Sequence, residues 1–327
     1  MDSLLGKPLP LKNLTLRNRI VMPPMATELS VNDVPSDALI DYYRKRAKVT
    51  GLIIVEHEYV SLEGKASPRQ LSMAEGVDIA VYRRLTDAIH SQGAVAVAQV
   101  NHAGADAFDN KLPVISASAI RLWRSAFQAE AMTMADIERI KGCFINAAVQ
   151  AKAAGFDGVE IHAAHGYLLN QFYSPLTNLR TDDYNGATMD GRTRLQCEII
   201  RSVREAVGAD YLVAIRFGAC DYMKGGSRIE EIPEAVRRFV DAGVDLIDIS
   251  GGLNGYLVPG ASQPGWFAEL SRPVKEAVNV PVILTGGVQT GQDAENLLKA
   301  GVADLIGVGR PMMQDDGWSE KALAAVG

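Results

Sequence analysis

Ala154-Gly155-Phe156-Asp157-Gly158-Val159-Glu160-Ile161-His162-Ala163-Ala164-His165-Gly166-Tyr167 compresses one structural unit into a single short run. An Ala-Gly pair closes a preceding helix, because glycine accepts the left-handed conformation that a helix C-terminus commonly needs. Residues 158–161 then read as a short buried strand, and polar groups crowd its exit. Two imidazoles there can donate hydrogen bonds toward one oxygen, and a nearby phenol can supply a proton. His162, His165 and Tyr167 are therefore candidates for polarising and protonating a carbonyl compound.

The same pattern recurs on both sides of this stretch. Ala-Gly also precedes strands at Ala242-Gly243 and Ala300-Gly301, and Gln92-Gly93 does so more loosely. Apolar runs predict strands over 20–22, 51–55, 94–100, 158–161, 211–217, 246–250, 282–285 and 305–308. Helical spacing predicts helices over 36–48, 78–92, 135–154, 192–207, 232–242, 266–278, 293–300 and 318–325. Alternation of this kind requires parallel strands with helical crossovers, and eight units favour a closed (β/α)8 TIM barrel over an open doubly wound sheet. A small hairpin around Lys12-Asn13, within residues 9–20, precedes the first strand. No composition break divides the chain, so residues 1–327 are expected to form one domain. Long loops over 101–133, 163–190 and 251–265 all follow strands, which builds up one rim of the barrel.

With 327 residues, 47% of them hydrophobic, a large core is available. A net charge of −6 without basic runs argues against a nucleic-acid partner or an anionic membrane surface, and the expected partner is a small-molecule substrate. Cys143, Cys197 and Cys220 lie far apart, which fits a reducing compartment and indicates neither a disulfide framework nor a metal or iron–sulfur site. No apolar run is long enough to span a bilayer and no leader pattern opens the chain, so a cytoplasmic protein is expected.

The last two units carry a phosphate pattern. Thr285-Gly286-Gly287 and Gly307-Val308-Gly309-Arg310 each end a strand before a helical segment. Glycines let backbone N–H groups approach an anion, and Arg310 adds a charged fork. Gly251-Gly252 is a weaker third contributor. Arg216 and Gln99 stand near the ends of their strands, where a guanidinium and an amide can meet an electron-rich heteroaromatic edge; each can equally be a satisfied structural group. A Schiff-base aldolase needs a strand lysine, and the predicted strands contain none.

Four blocks now resemble the Old Yellow Enzyme family of flavin-dependent ene-reductases: Arg17-Asn18-Arg19-Ile20-Val21-Met22-Pro23-Pro24-Met25, Gln99-x-x-His102-Ala103-Gly104, Ile161-His162-Ala163-Ala164-His165-Gly166-Tyr167-Leu168, and Ser174-Pro175-Leu176-Thr177-Asn178-x-Arg180-Thr181-Asp182. The resemblance implies an FMN-containing barrel that takes hydride from NADH or NADPH and passes it from flavin N5 to the β-carbon of an activated alkene. His162 and His165 would hold the substrate carbonyl, and Tyr167 would protonate the α-carbon. Pro24, Met25 and Ala26 would line the flavin, Gln99 would bind its pyrimidine edge, Arg216 would sit near N1 and O2, and Gly286, Gly287, Gly309 and Arg310 would hold the phosphate.

The chain departs from the family pattern at Ala26, where relatives carry a cysteine or threonine that tunes the flavin. Glu28 stands where some have a substrate-contacting tyrosine, and His57-Glu58 replaces small residues beside the flavin. Glu28 and His57 also support a rival expectation, a flavin-dependent amine oxidase or demethylase on the same barrel. A phosphate-binding barrel without catalysis is a third. Relatives with an iron–sulfur segment continue past the barrel, so electrons are expected directly from a diffusible nicotinamide. Quaternary structure, including a homo-oligomer, stays open.

Overall fold

The structure is a computed structural model that describes residues 3–109 and 111–327. Eight parallel strands close on themselves: β1 (Ile20–Met22), β2 (Leu52–Tyr59), β3 (Val95–Asn101), β4 (Gly158–Ala163), β5 (Leu212–Gly218), β6 (Leu246–Ser250), β7 (Val282–Leu284) and β8 (Leu305–Gly307). Each pairs with its chain neighbours, and β8 and β2 both pair with β1, which completes the ring. The helices between and after them are α1 (Asp37–Ala47), α2 (Ile79–His90), α3 (Met134–Ala153), α4 (Met189–Val207), α5 (Ile232–Ala242), α6 (Ala268–Ala277), α7 (Gly291–Lys299) and α8 (Trp318–Val326). This is the (β/α)8 barrel expected from the alternation.

Local chemistry sets the boundaries. Side-chain oxygens of Ser36, Thr133, Thr188 and Thr290 accept hydrogen bonds from helix N-termini, and at Thr133 and Thr290 an aspartate three residues on returns the bond. At the other ends Gly93, Gly155, Gly243 and Gly301 all have positive φ, between 68° and 118°.

The N-terminal hairpin pairs Leu9–Leu11 with Leu14–Leu16 around Lys12-Asn13, and Lys12 takes the left-handed φ of +59°. Leu11 and Leu16 are fully buried and pack on Val21, Leu52, Ile54, Val97, Leu212 and Leu305 inside the barrel. Burial of two leucines stabilises this closed end by about 2 kcal/mol each. The N-terminal entrance is thereby plugged, and the C-terminal ends of the strands are left for chemistry.

The second strand differs from the expectation. It runs to Tyr59 rather than ending at Val55, through a bulge between Val55 and Glu58. Glu56, His57 and Glu58 break apolar periodicity, yet tertiary partners keep them extended: Glu56 N–H donates to the Tyr43 hydroxyl at 2.8 Å, and the Glu56 carboxylate accepts from Thr27 N at 3.0 Å. A short helix, Leu168–Tyr173, also sits in the long loop after β4 where no helix is expected. Among the described residues no helix is long and apolar enough to cross a membrane.

Candidate active site

At the strands' C-terminal ends lies a cavity of about 710 Å³ to which every barrel unit contributes. Pro23, Pro24, Met25 and Ala26 follow β1; His57, Gln99, His162 and Arg216 come from β2 to β5; His165 and Tyr167 follow β4. Gly286, Gly287, Gly309 and Arg310 close the far side. Groups more than a hundred residues apart in sequence thus face one space.

His162, His165 and Tyr167 form a cluster. The imidazoles meet edge to face at 5.0 Å, and the His162 and Tyr167 rings lie 5.2 Å apart. The turn that presents them is strained: His165 has φ +60° and Gly166 φ +71°. A left-handed histidine costs on the order of 1 kcal/mol, so the fold must hold it there. Gly251 O accepts from His165 N–H at 3.2 Å, Ser250 Oγ lies 2.7 Å from Nε2, and Arg124 donates to His165 O. Arg124 comes from the long loop after β3, and it also binds Asp106 at 2.9 Å and Leu253 O at 3.2 Å. That arginine ties three rim loops together.

Burial sets the proton positions. It holds His162 and His165 well below the usual imidazole range, with Arg216 pushing the same way, so both rings are neutral near pH 7. Burial, with help from Asp106, pushes the Tyr167 phenol up to about 12. The cluster therefore offers neutral donors and a protonated phenol across the ordinary pH range.

Beneath it, Gln99 Nε2 donates to Glu160 Oε1 at 2.8 Å, and Arg216 Nε lies 3.2 Å from Asp248. Burial, then Asp248, raises Glu160 to about 8, while burial raises Asp248 to about 6. Arg216 is thus paired inside the protein and also lines the cavity, so the structural and the site readings of this residue coexist.

FMN is the cofactor the resemblance implies, and the far wall fits a phosphate-bearing group. A Cβ at Gly286 (φ +107°) would fall 2.4 Å from Trp266 Nε1, and one at Gly287 (φ +70°) would fall 2.8 Å from Gln263 O. Only glycines keep this cradle open. Trp266 Nε1 is buried without a partner among the described residues, and the Arg310 guanidinium lies 5.7 Å over its ring. A buried orphan donor beside glycines and an arginine suits an anion.

Two expected contacts are displaced. Gly252 does not line the cavity: its N–H donates to Cys220 O at 2.8 Å, and a Cβ there would strike Asp221. Its backbone donor is spent on the turn after β6. Glu28 is exposed, takes φ +59°, and accepts from Ser67 Oγ at 3.2 Å outside the cavity lining. Arg124, Asp106 and Tyr256 carry no periodic signal because they sit on irregular loops, and Trp266, expected to open a helix, lies instead in the turn before Ala268. Among the described residues no group of three or more His, Cys, Asp or Glu is placed to hold a metal ion.

A barrel with glycines and an arginine on its last two units, facing an imidazole–phenol cluster, fits a flavin-type oxidoreductase. Residues 4–325 match the NADH:flavin oxidoreductase / NADH oxidase family, and the chain belongs to that family, which includes Old Yellow Enzyme. It is 39% identical over 320 residues to an NADH oxidase of Thermoanaerobacter brockii, covering 95% of this chain and 49% of that protein. It spans about half the length of the curated relatives it matches. Among solved structures, a 2-naphthoyl-CoA reductase in complex with 2-naphthoyl-CoA superposes with a TM-score of 0.92 at 26% identity, over 98% of this chain and 52% of that one. The old yellow enzyme homologue from Zymomonas mobilis gives 0.86 at 27% identity, over 99% and 93%.

Proposed function

We propose that this chain is an FMN-dependent oxidoreductase that uses NADH or NADPH to reduce a carbon–carbon double bond conjugated to a carbonyl. The observation that carries the reading is the convergence of His162, His165 and Tyr167 on the cavity that Gln99, Arg216 and the Gly286–Gly287–Gly309–Arg310 cradle also line. When bound there, FMN would supply the two-electron hydride chemistry between a nicotinamide and the alkene.

The chain's residues do the rest. His162 and His165 are neutral donors that bind the substrate carbonyl oxygen and stabilise the negative charge that grows there. Ser250 Oγ, 2.7 Å from Nε2, fixes the His165 ring. Tyr167 keeps its proton up to about pH 12 and gives it to the α-carbon as a general acid. Gln99, fixed by Glu160, and Arg216 would recognise the polar edge of the cofactor, with Pro24, Met25, Ala26 and His57 along its flank. Gly286, Gly287 and Gly309, with Arg310, line the far wall and would hold its phosphate through backbone N–H groups and the guanidinium.

The amine-oxidase alternative has Glu28 and His57 bind a cation or act as base, and Glu28 lies exposed outside the cavity lining, where it supports neither role. The test is direct. Purified protein should be yellow, bleach anaerobically with NAD(P)H and recover its colour with cyclohexenone. Colourless protein that FMN does not reconstitute refutes the proposal.

A further inference from the structure

The Ser174-Pro175-Leu176-Thr177-Asn178 block carries part of the family resemblance, yet none of its residues lines the cavity. Ser174 is fully buried at the end of the short helix Leu168–Tyr173, and its hydroxyl donates to Asp221 Oδ2 at 2.6 Å. Asp221 lies in the loop after β5 and is fully buried as well. Its carboxylate also accepts from Ser227 N–H through Oδ2 and from Leu253 N–H through Oδ1, both at 2.8 Å. One side chain thereby joins the rim loops after β4, β5 and β6.

Two of these bonds lead to one turn. Asn170, on the short helix, accepts from Gly166 N–H through Oδ1 at 2.7 Å and from Ser174 N–H through its carbonyl at 2.8 Å. From the other side, Gly251 O accepts from His165 N–H at 3.2 Å and Ser250 Oγ meets the His165 ring at 2.7 Å; Leu253 then ends this run on Asp221. The left-handed His165–Gly166 turn is thus gripped from two loops, and Asp221 fastens those loops to each other. Two glycines leave room for the carboxylate. A Cβ at Gly252 would fall 2.3 Å from Asp221 Oδ1, and one at Gly226 would fall 2.7 Å from Oδ2.

We propose that Asp221 is the positioning residue for His165: by holding Ser174 and Leu253 with one carboxylate, it fixes the turn that carries this imidazole to the cavity. Asp221 itself stays outside the cavity lining. A residue held in a sparsely populated conformation persists only while its surroundings over-determine it, so loosening Asp221 lets the ring lose its place before the barrel loses its fold. Removing either partner of the Ser174–Asp221 bond also leaves a buried polar group unsatisfied. What His165 does to a substrate rests on the proposed function, whereas where its ring sits does not.

D221N keeps the side-chain shape but turns one accepting oxygen into a donor, and S174A removes the hydroxyl. E295A loosens the N-terminal segment instead and controls for a general loss of stability. The chain has five histidines, so ring-nitrogen NMR of histidine-labelled holoenzyme resolves them singly, with H165Q identifying the His165 signals. Those signals should shift or broaden in D221N and in S174A and stay unchanged in E295A, while the signals of His90, bound to Asp157 on the outer surface, stay unchanged in all three. Anaerobic recovery of flavin colour by cyclohexenone should slow about tenfold in each single variant, which corresponds to about 1.4 kcal/mol. In the double variant it should slow far less than about a hundredfold, because both changes break one link. Unmoved His165 signals overturn the inference, and so do signals that move equally in E295A or single effects that simply multiply. S174A decides alone if D221N does not fold. If cyclohexenone is not reduced at all, the functional reading falls, and the NMR arm still decides whether Asp221 places the ring.

Discussion

Replacing Tyr167 by phenylalanine removes one oxygen from a half-buried ring and leaves its packing. The ring lies 5.7 Å from His57 and 5.2 Å from His162, contacts that a phenyl group retains. The hydroxyl is held protonated to about pH 12, so at pH 7 essentially every molecule carries the proton that the α-carbon needs. Losing a positioned general acid costs about 10²- to 10⁴-fold, or roughly 3–5 kcal/mol in the barrier to the alkene step. Anaerobic stopped-flow separates that step from flavin reduction. The recovery of flavin colour by cyclohexenone should slow by that factor, while bleaching by NAD(P)H changes far less. Recovery within threefold of wild type would refute the assignment, and so would an equal slowing of both halves.

Other perturbations probe the remaining parts. Gly286→Ala puts a Cβ 2.4 Å from Trp266 Nε1 at φ +107°, and about 1–3 kcal/mol of backbone strain plus the displaced indole should weaken FMN retention at least tenfold by fluorescence titration. Unchanged affinity would place the phosphate elsewhere. Glu160 has a raised folded pKa of about 8, so it ionises only above that pH and then adds negative charge near Arg216. FMN affinity should fall above about pH 8 in wild type and stay flat in E160Q; the same fall in both would exclude Glu160 as its source. Glu295 accepts from Leu4 N at 3.0 Å, Leu5 N at 2.8 Å and Ser3 Oγ at 3.0 Å, and pairs with Lys299. Burial opposes its ionisation, but those bonds hold its carboxyl down to about 2. E295A should therefore cost about 1–3 kcal/mol in denaturant unfolding at pH 7. Because the folded pKa is depressed, this gap is full above about pH 4.5 and closes as the pH falls toward 2. A gap that is the same at pH 3 as at pH 7 contradicts the linkage.

Much of the molecule was legible in one dimension. The alternation of apolar strands with capped helices, and the Ala-Gly pairs at 154–155, 242–243 and 300–301, report backbone preferences that act over a few residues, so they survive reading from sequence. The clustering of polar groups at strand exits placed His162, His165, Tyr167, Gln99, Arg216 and the glycine cradle on one rim, because strand direction in such a barrel carries every exit to the same face. Proximity between chain segments was not legible. Glu28 follows β1 closely, yet a left-handed turn and Ser67 carry it outward; Gly252 follows β6, yet Cys220 takes its N–H. Arg124 and Trp266 reach the cavity only because loops fold back over it. The bulge that turns His57 inward needs two residues of β2 to oppose one of β3, a matter of register between strands some forty residues apart. Local preference determines where a strand or helix forms; which side chains meet depends on hydrogen-bond partners that only the closed ring brings together.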